Sequence, residues 1–102
     1  MEIQISEHEN DVIDVSLSGT FGFQDHMVFN EFMTKIQDHK KSVRFDLKAL
    51  DMIDSAGIGM LFLAHKIIDK MNGDMVIKNP NGQVKRVFDI TSLEQQIKVV
   101  TD

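Results

Sequence analysis

Between Asp51 and Met60 the chain reads "DMIDSAGIGM", with acids before a lone serine and two spaced glycines after it. Three chemistries use a serine in such a setting. Asp54 or Ser55 can cap a helix, because a short polar side chain ahead of an apolar run accepts hydrogen bonds from the first free N–H groups, worth about 1 kcal/mol. Ser55 can instead be a nucleophile, as in the G-x-S-x-G elbow that holds a serine on a strained strand-to-helix turn. Or it can receive a phosphate.

The nucleophile lacks its partners. Ile53 stands where the elbow's first glycine belongs, and a histidine base has to lie within hydrogen-bond reach. His65 is ten residues further along the same expected helix, about 15 Å away at 1.5 Å per residue. His8, His26 and His39 fall on earlier elements, without a glycine-rich oxyanion segment. Gly57 and Gly59 hint at a phosphate cradle, yet neither G-K-[ST] nor a G-x-G-x-x-G turn accompanies them. No catalytic residue, nucleotide pocket, cofactor or metal is expected.

The elements that position this serine follow from hydrophobic period. Ile3 and Ile5, then Val12 or Ile13, Val15 and Leu17, predict two strands joined as a hairpin through "EHEND", the second ending at Gly19. Phe29, Phe32, Met33 and Ile36 fall at i, i+3, i+4 and i+7, one face of a helix from about Gln24 or Asp25 to His39. "SVRFDL" is a third strand, and "KALDMI" reads as the loop that carries the chain to Ser55. The apolar run from Ile58 to Met71 predicts a largely buried helix, closed by Gly73 in the left-handed conformation. "DMVIK" is a strand, "NPNG" a turn, Val84, Val87 and Phe88 mark a third helix, and "IKVV" a last strand. Strands alternating with helices predict an α/β domain, β-β-α-β-α-β-α-β, with a mixed, mostly parallel sheet of about five strands and about three helices. Ligand chemistry in such sheets gathers where a strand ends and a helix begins, which is where Ser55 lies.

Composition narrows the function. At 102 residues the chain suits one domain with one core. Sixteen acids against eleven bases give a net charge of −5, and the bases are scattered, with Lys40 and Lys41 adjacent. That excludes a nucleic-acid or anionic-membrane surface, which needs clustered cations. There is no cysteine, so disulfides and thiolate chemistry are excluded. The N-terminus is acidic and alternating, unlike a signal peptide, and no run approaches a membrane span, so a cytoplasmic protein is expected.

"VRFDLKALDMIDSAGIGML" followed by "GDMVIKNPNGQVKRVFDITSLEQQIKV" resembles the STAS domain of bacterial anti-sigma factor antagonists. That family typically shows a strand ending in D-L, a D-S-[SA]-G-[IL]-G helix start, a G-G-x-[ML]-V strand, and V-x-[RK]-[VIL]-F-x-[ILM]-[ST]-[GS]-[LF]. The resemblance spans about residues 1 to 100 and is sharpest from Val43 to Val99. It implies a regulator without catalysis of its own. Ser55 would be phosphorylated by a partner that is both serine kinase and anti-sigma factor, of ATPase fold, and reset by a PP2C-type phosphatase. The unphosphorylated form would bind the partner and the phosphorylated form would release it. Asp51, Met52, Asp54, Ala56, Gly57, Ile58, Gly59 and Met60 would form the docking rim, the glycines either admitting a partner's backbone or packing the helix on the sheet.

A phosphoserine carries about −1.5 to −2 charges, and here it would sit beside Asp54 and within a turn of Asp51. The rival reading is a constitutive STAS scaffold, for example in a lipid-transport ATPase. The chain departs from the family in the loop "TFGFQDHMVF", where Phe21 and Phe23 are expected as core staples, with a partner-facing patch the alternative, and His26 in the first helical turn. It also stops at Asp102, where many relatives continue into a terminal helix. A monomer is expected, with weak self-association open. Lys85 and Arg86 read as the solvated face of the third helix, and the methionines as core filler, with Met52 and Met60 an alternative soft contact surface.

Overall fold

Ile13, Val15 and Leu17 alternate with Asp14, Ser16 and Ser18, and in the computed structural model of the chain they form the buried face of β2 (Val12–Phe21). The structure describes residues 1–7, 11–39 and 42–101. The expected hairpin tip at 8–10 and the lysine pair Lys40 and Lys41 lie outside these residues. β1 (Glu2–Glu7) pairs antiparallel with β2, Ile3 opposite Leu17 and Ile5 opposite Val15. β3 (Ser42–Asp46) runs parallel on the other side, setting Val43 beside Ile13 and Phe45 beside Val15. β5 (Met75–Lys78) and β6 (Lys98–Val100) extend the sheet in parallel, giving the order β1-β2-β3-β5-β6. The crossovers between parallel strands are helical, as their length requires: α1 (His26–His39), α2 (Ser55–Lys70) and α3 (Gly82–Thr91).

One face of the sheet is covered and the other is open. Phe29, Phe32, Met33 and Ile36 of α1 all point inward, and the Phe29 ring lies 5.1 Å from Phe21 and 6.1 Å from Phe45. Leu61, Ala64 and Ile68 of α2, with Val84 and Phe88 of α3, complete the same core. The open face carries a charged ladder set by register, Asp14 beside Arg44 and Asp46 beside Lys78. Arg44 donates twice to Asp14, from Nε and Nη2, so this face is satisfied by its own pairs.

Three expectations need correction. Among the described residues there are six strands, because β4 (Leu50–Ile53) lies in the stretch expected as a loop. Only its two ends, Leu50 and Ile53, are buried, so it never shows the two-residue alternation that marks a strand. β2 does not end at Gly19. That residue takes φ +84° at a register shift, a glycine bulge, and the strand continues to Phe21 with β4 beside it. The left-handed residue after α2 is Asn72 at φ +61°, not Gly73. Asn72 N–H donates to Asp69 and Gly73 N–H to Ile68, a paired closure in which asparagine replaces glycine.

Phe45 has no exposed surface and touches the rings of both Phe29 and Phe32. Phe45→Ala is expected to cost about 3 to 5 kcal/mol of unfolding free energy in urea titrations, the usual range for emptying a buried aromatic site.

Candidate functional site

β4 exists to deliver one turn. Its last residue, Ile53, sits beside Phe21 at the end of β2, and Asp54 N–H donates to the Phe21 carbonyl at 3.2 Å. Asp54 is extended, at φ −107° and ψ −177°, so its side chain swings back over the start of α2. Oδ1 accepts from Gly57 N–H at 2.9 Å, which makes Asp54 the N-cap. Oδ2 accepts from Phe23 N–H at 3.4 Å, tying the same carboxylate to the turn that precedes α1. Ser55 is therefore relieved of capping. It is the first residue of α2, exposed, and its hydroxyl is bonded to no described residue.

The three nearby glycines have different reasons. A Cβ on Gly22 would fall 2.5 Å from Asp54 Oδ2, so the carboxylate can approach only glycine there. A Cβ on Gly57 would meet the Phe21 carbonyl oxygen at 2.6 Å and Ile53 Cγ1 at 2.7 Å, so Gly57 packs the helix start on the strand ends. Gly59 is exposed and has nothing within 4 Å of its missing Cβ. Of the two glycines only Gly59 leaves room for a visitor.

Gln83 holds the turn from the other side. Its side-chain amide pairs with the Ile53 backbone like a neighbouring strand: Ile53 N–H donates to Oε1 at 2.9 Å and Nε2 donates to the Ile53 carbonyl at 3.0 Å. Asn81, just before α3, donates to the Lys48 carbonyl at 3.1 Å and secures the loop that leads into β4. Sequence reading passed over both, because an amide in a polar turn carries no sign of its partner 30 residues away. Between β4, the start of α2 and α3 runs a groove of about 410 Å³, with Ser55 and Asp54 at its rim and Met52, Ile58, Val87 and Thr91 among its walls. No histidine is among the residues that line it. Among the described residues no cluster of His, Asp or Glu is arranged to hold a metal ion, and no helix is long and apolar enough to cross a membrane.

Residues 2–102 match the model of the STAS domain. The chain belongs to the STAS domain family. It is 32% identical over 99 residues to the anti-sigma F factor antagonist of Paenibacillus polymyxa, covering 91% of this chain and 82% of the relative. It is 26% identical to the anti-sigma-B factor antagonist of Bacillus subtilis, over 97% of this chain and 90% of that protein. The fold is also that of the anti-sigma factor antagonist SpoIIAA. SpoIIAA superposes with a TM-score of 0.77 in its unphosphorylated form (14% identity, 99% of this chain and 88% of that one). For the phosphorylated form of the Bacillus protein the TM-score is 0.72 (17% identity, 99% and 93%).

In this STAS domain the residues expected around Ser55 divide in two. Asp51, Met52, Asp54 and Gly59 are exposed and Ala56 is half-buried. Gly57, Ile58 and Met60 are buried, at most 7% exposed for the two side chains. The helical period puts them there: 57, 60, 61 and 64 share the core face. Phe21 is fully buried as expected, but Phe23 is 75% exposed and is no core residue. His26 is exposed, its Nε2 lying 3.1 Å from Asn30 Nδ2. Arg86 is solvated, whereas Lys85 bridges Glu94 and Asp89, and its bond to Glu94 above all raises its pKa beyond the ordinary lysine value.

The glycines give a paired test. Gly57→Ala is expected to destabilise the fold by about 1 to 3 kcal/mol, as overpacking does. Gly59→Ala is expected to be neutral or to stabilise by up to about 1 kcal/mol, since an exposed helical glycine gains from a methyl. Urea unfolding of the two variants side by side measures the difference.

Proposed function

We propose that this STAS domain is an anti-sigma factor antagonist working as a phosphorylation-controlled binding module, with Ser55 as the acceptor. The single observation that carries the reading is the division of labour at the helix start. Asp54 makes the cap, so the serine hydroxyl that follows it stands exposed with no structural duty. In this reading the chain performs no chemistry itself. It binds an anti-sigma factor that is also a serine kinase of ATPase fold while Ser55 is free, and releases it once Ser55 is phosphorylated. A PP2C-type phosphatase restores the binding form.

The physics supports a switch of binding without a switch of fold. Phosphate at Ser55 sits at a helix N-terminus, which favours an anion by up to about 1 kcal/mol, while exposed Asp51 and Asp54 oppose it. The folded chain is thus nearly indifferent to the group. Docking is not, because a partner shaped around a hydroxyl would have to desolvate a dianion between two carboxylates. Each 1.4 kcal/mol of that cost weakens affinity about tenfold. The antagonists named above, and the existence of SpoIIAA in phosphorylated and unphosphorylated forms, support carrying this reading to a chain of the same fold. Asp51, Met52, Asp54, Ala56 and Gly59 form the docking rim in this account, with Gly57, Ile58 and Met60 beneath it.

Incubation with a cognate serine kinase of ATPase fold and Mg·ATP is expected to add the mass of one phosphate, lost in Ser55→Ala. A phosphate that persists in that variant rejects Ser55 as the acceptor. Ser55→Asp and Ser55→Glu are expected to keep the far-UV spectrum and to weaken kinase binding by about tenfold or more. Unchanged affinity in both would remove the electrostatic basis of release.

A further inference from the structure

An exposed aromatic side chain on a mobile loop is common and means little. Phe23 is not in that position. It is 75% exposed, yet its turn is fixed by three hydrogen bonds: Gly22 N–H to Asp25 Oδ2 at 2.9 Å, Asp25 N–H to the Gly22 carbonyl at 2.9 Å, and Phe23 N–H to Asp54 Oδ2 at 3.4 Å. Asp25 is the only buried charged side chain among the described residues, and it serves this turn. The Phe23 ring is backed by the His26 imidazole, nearly parallel to it with centroids 6.3 Å apart. Four residues on, near the start of α1, Met27 is 72% exposed as well. Nothing in the core needs either residue. Two carboxylates and an invading glycine backbone hold a greasy side chain out in water.

Asp54 adds the second half of the argument. The oxygen that binds Phe23 N–H belongs to the carboxylate whose other oxygen caps α2 ahead of Ser55. The Phe23 turn and the α2 start that carries Ser55 are thereby tied to one carboxylate, and Met52, half exposed on β4, lines the groove with Ser55. Rigid aromatic anchors lose little conformational entropy on docking and dominate interface energetics.

We propose that Phe23, with Met27, is the pre-organised anchor by which this domain selects its partner, a protein surface with an apolar pocket for the ring and a cationic rim facing Asp51 and Asp54. The charge follows from this side of the interface: exposed carboxylates beside the anchor, in a chain of net charge −5, favour lysine or arginine opposite them. The proposal rests on the kinase reading above and deepens it. Ser55 reports whether docking is allowed, and Phe23 determines with whom.

The test is a titration of the same ATPase-fold kinase against wild type, Phe23→Ala, Phe23→Trp and Ile5→Ala, by calorimetry at low and high salt. Ile5 is a half-exposed side chain on the distant edge strand and controls for general hydrophobicity. Phe23→Ala is expected to lose about tenfold or more in affinity with an unchanged melting temperature, Phe23→Trp to retain binding, Ile5→Ala to match wild type, and all to weaken with salt. Wild-type affinity in Phe23→Ala overturns the anchor while leaving Ser55 phosphorylation intact. An equal loss in Ile5→Ala overturns it as well, since any exposed apolar group would then serve. Failure of wild type both to bind and to be phosphorylated removes the kinase reading and the proposal together.

Discussion

The carboxylate of Asp54 is the joint on which this surface is built. One oxygen satisfies a free N–H at the start of α2 and the other a free N–H in the turn before α1, 31 residues from Asp54 along the chain. The arrangement is possible only because Gly22 has no side chain to obstruct the carboxylate and Gly57 none to lift the helix off the strand ends. Gln83 then holds the preceding residue by both its backbone groups. Three segments distant in sequence converge on a single turn, and the serine at its apex is left without a structural task.

In the proposed function, that freedom is what would let a small modification have a large effect on binding. A buried or hydrogen-bonded serine could accept phosphate only by breaking the contacts around it, and the fold would register the change. Here the helix N-terminus and the neighbouring acids pull in opposite directions at energies near 1 kcal/mol. A complex that buries Phe23 and Met52 around the same point lowers the local dielectric, and like charges that are tolerable in water become costly there. In the proposed switch the domain stays the same while its partner's preference reverses.

The sequence made the core legible and left the joint obscure. Phe29, Phe32, Met33 and Ile36 repeat at helical spacing and all are buried, and Ile13, Val15, Leu17, Val43 and Phe45 alternate as strands do. These patterns are written by contact with one large apolar interior. β4 was hidden because only Leu50 and Ile53 face inward, and its strand character comes from pairing with the far end of β2. The choice between Asp54 and Ser55 as cap was undecided in sequence, since both residue types suit the role; backbone direction resolves it. Phe23 reads in sequence first as a core staple and second as part of a partner-facing patch, and its exposure removes the first reading. Its exposure follows from the three-residue turn Phe23–Asp25, which leaves Phe23 and Gln24 outward and takes Asp25 inward. The amides of Asn81 and Gln83 were invisible, for long-range side-chain bonds to backbone leave no periodic trace.

The most direct measurement is made on the protein carrying phosphoserine installed at position 55 during synthesis, compared with the unmodified chain in an amide NMR spectrum and in calorimetric binding to the kinase. The account predicts a fully dispersed spectrum with shifts confined to residues near the α2 start and the Phe23 turn, together with a loss of binding of about tenfold or more. Binding as tight as that of the unmodified protein, or a spectrum showing that the fold has rearranged, would contradict it.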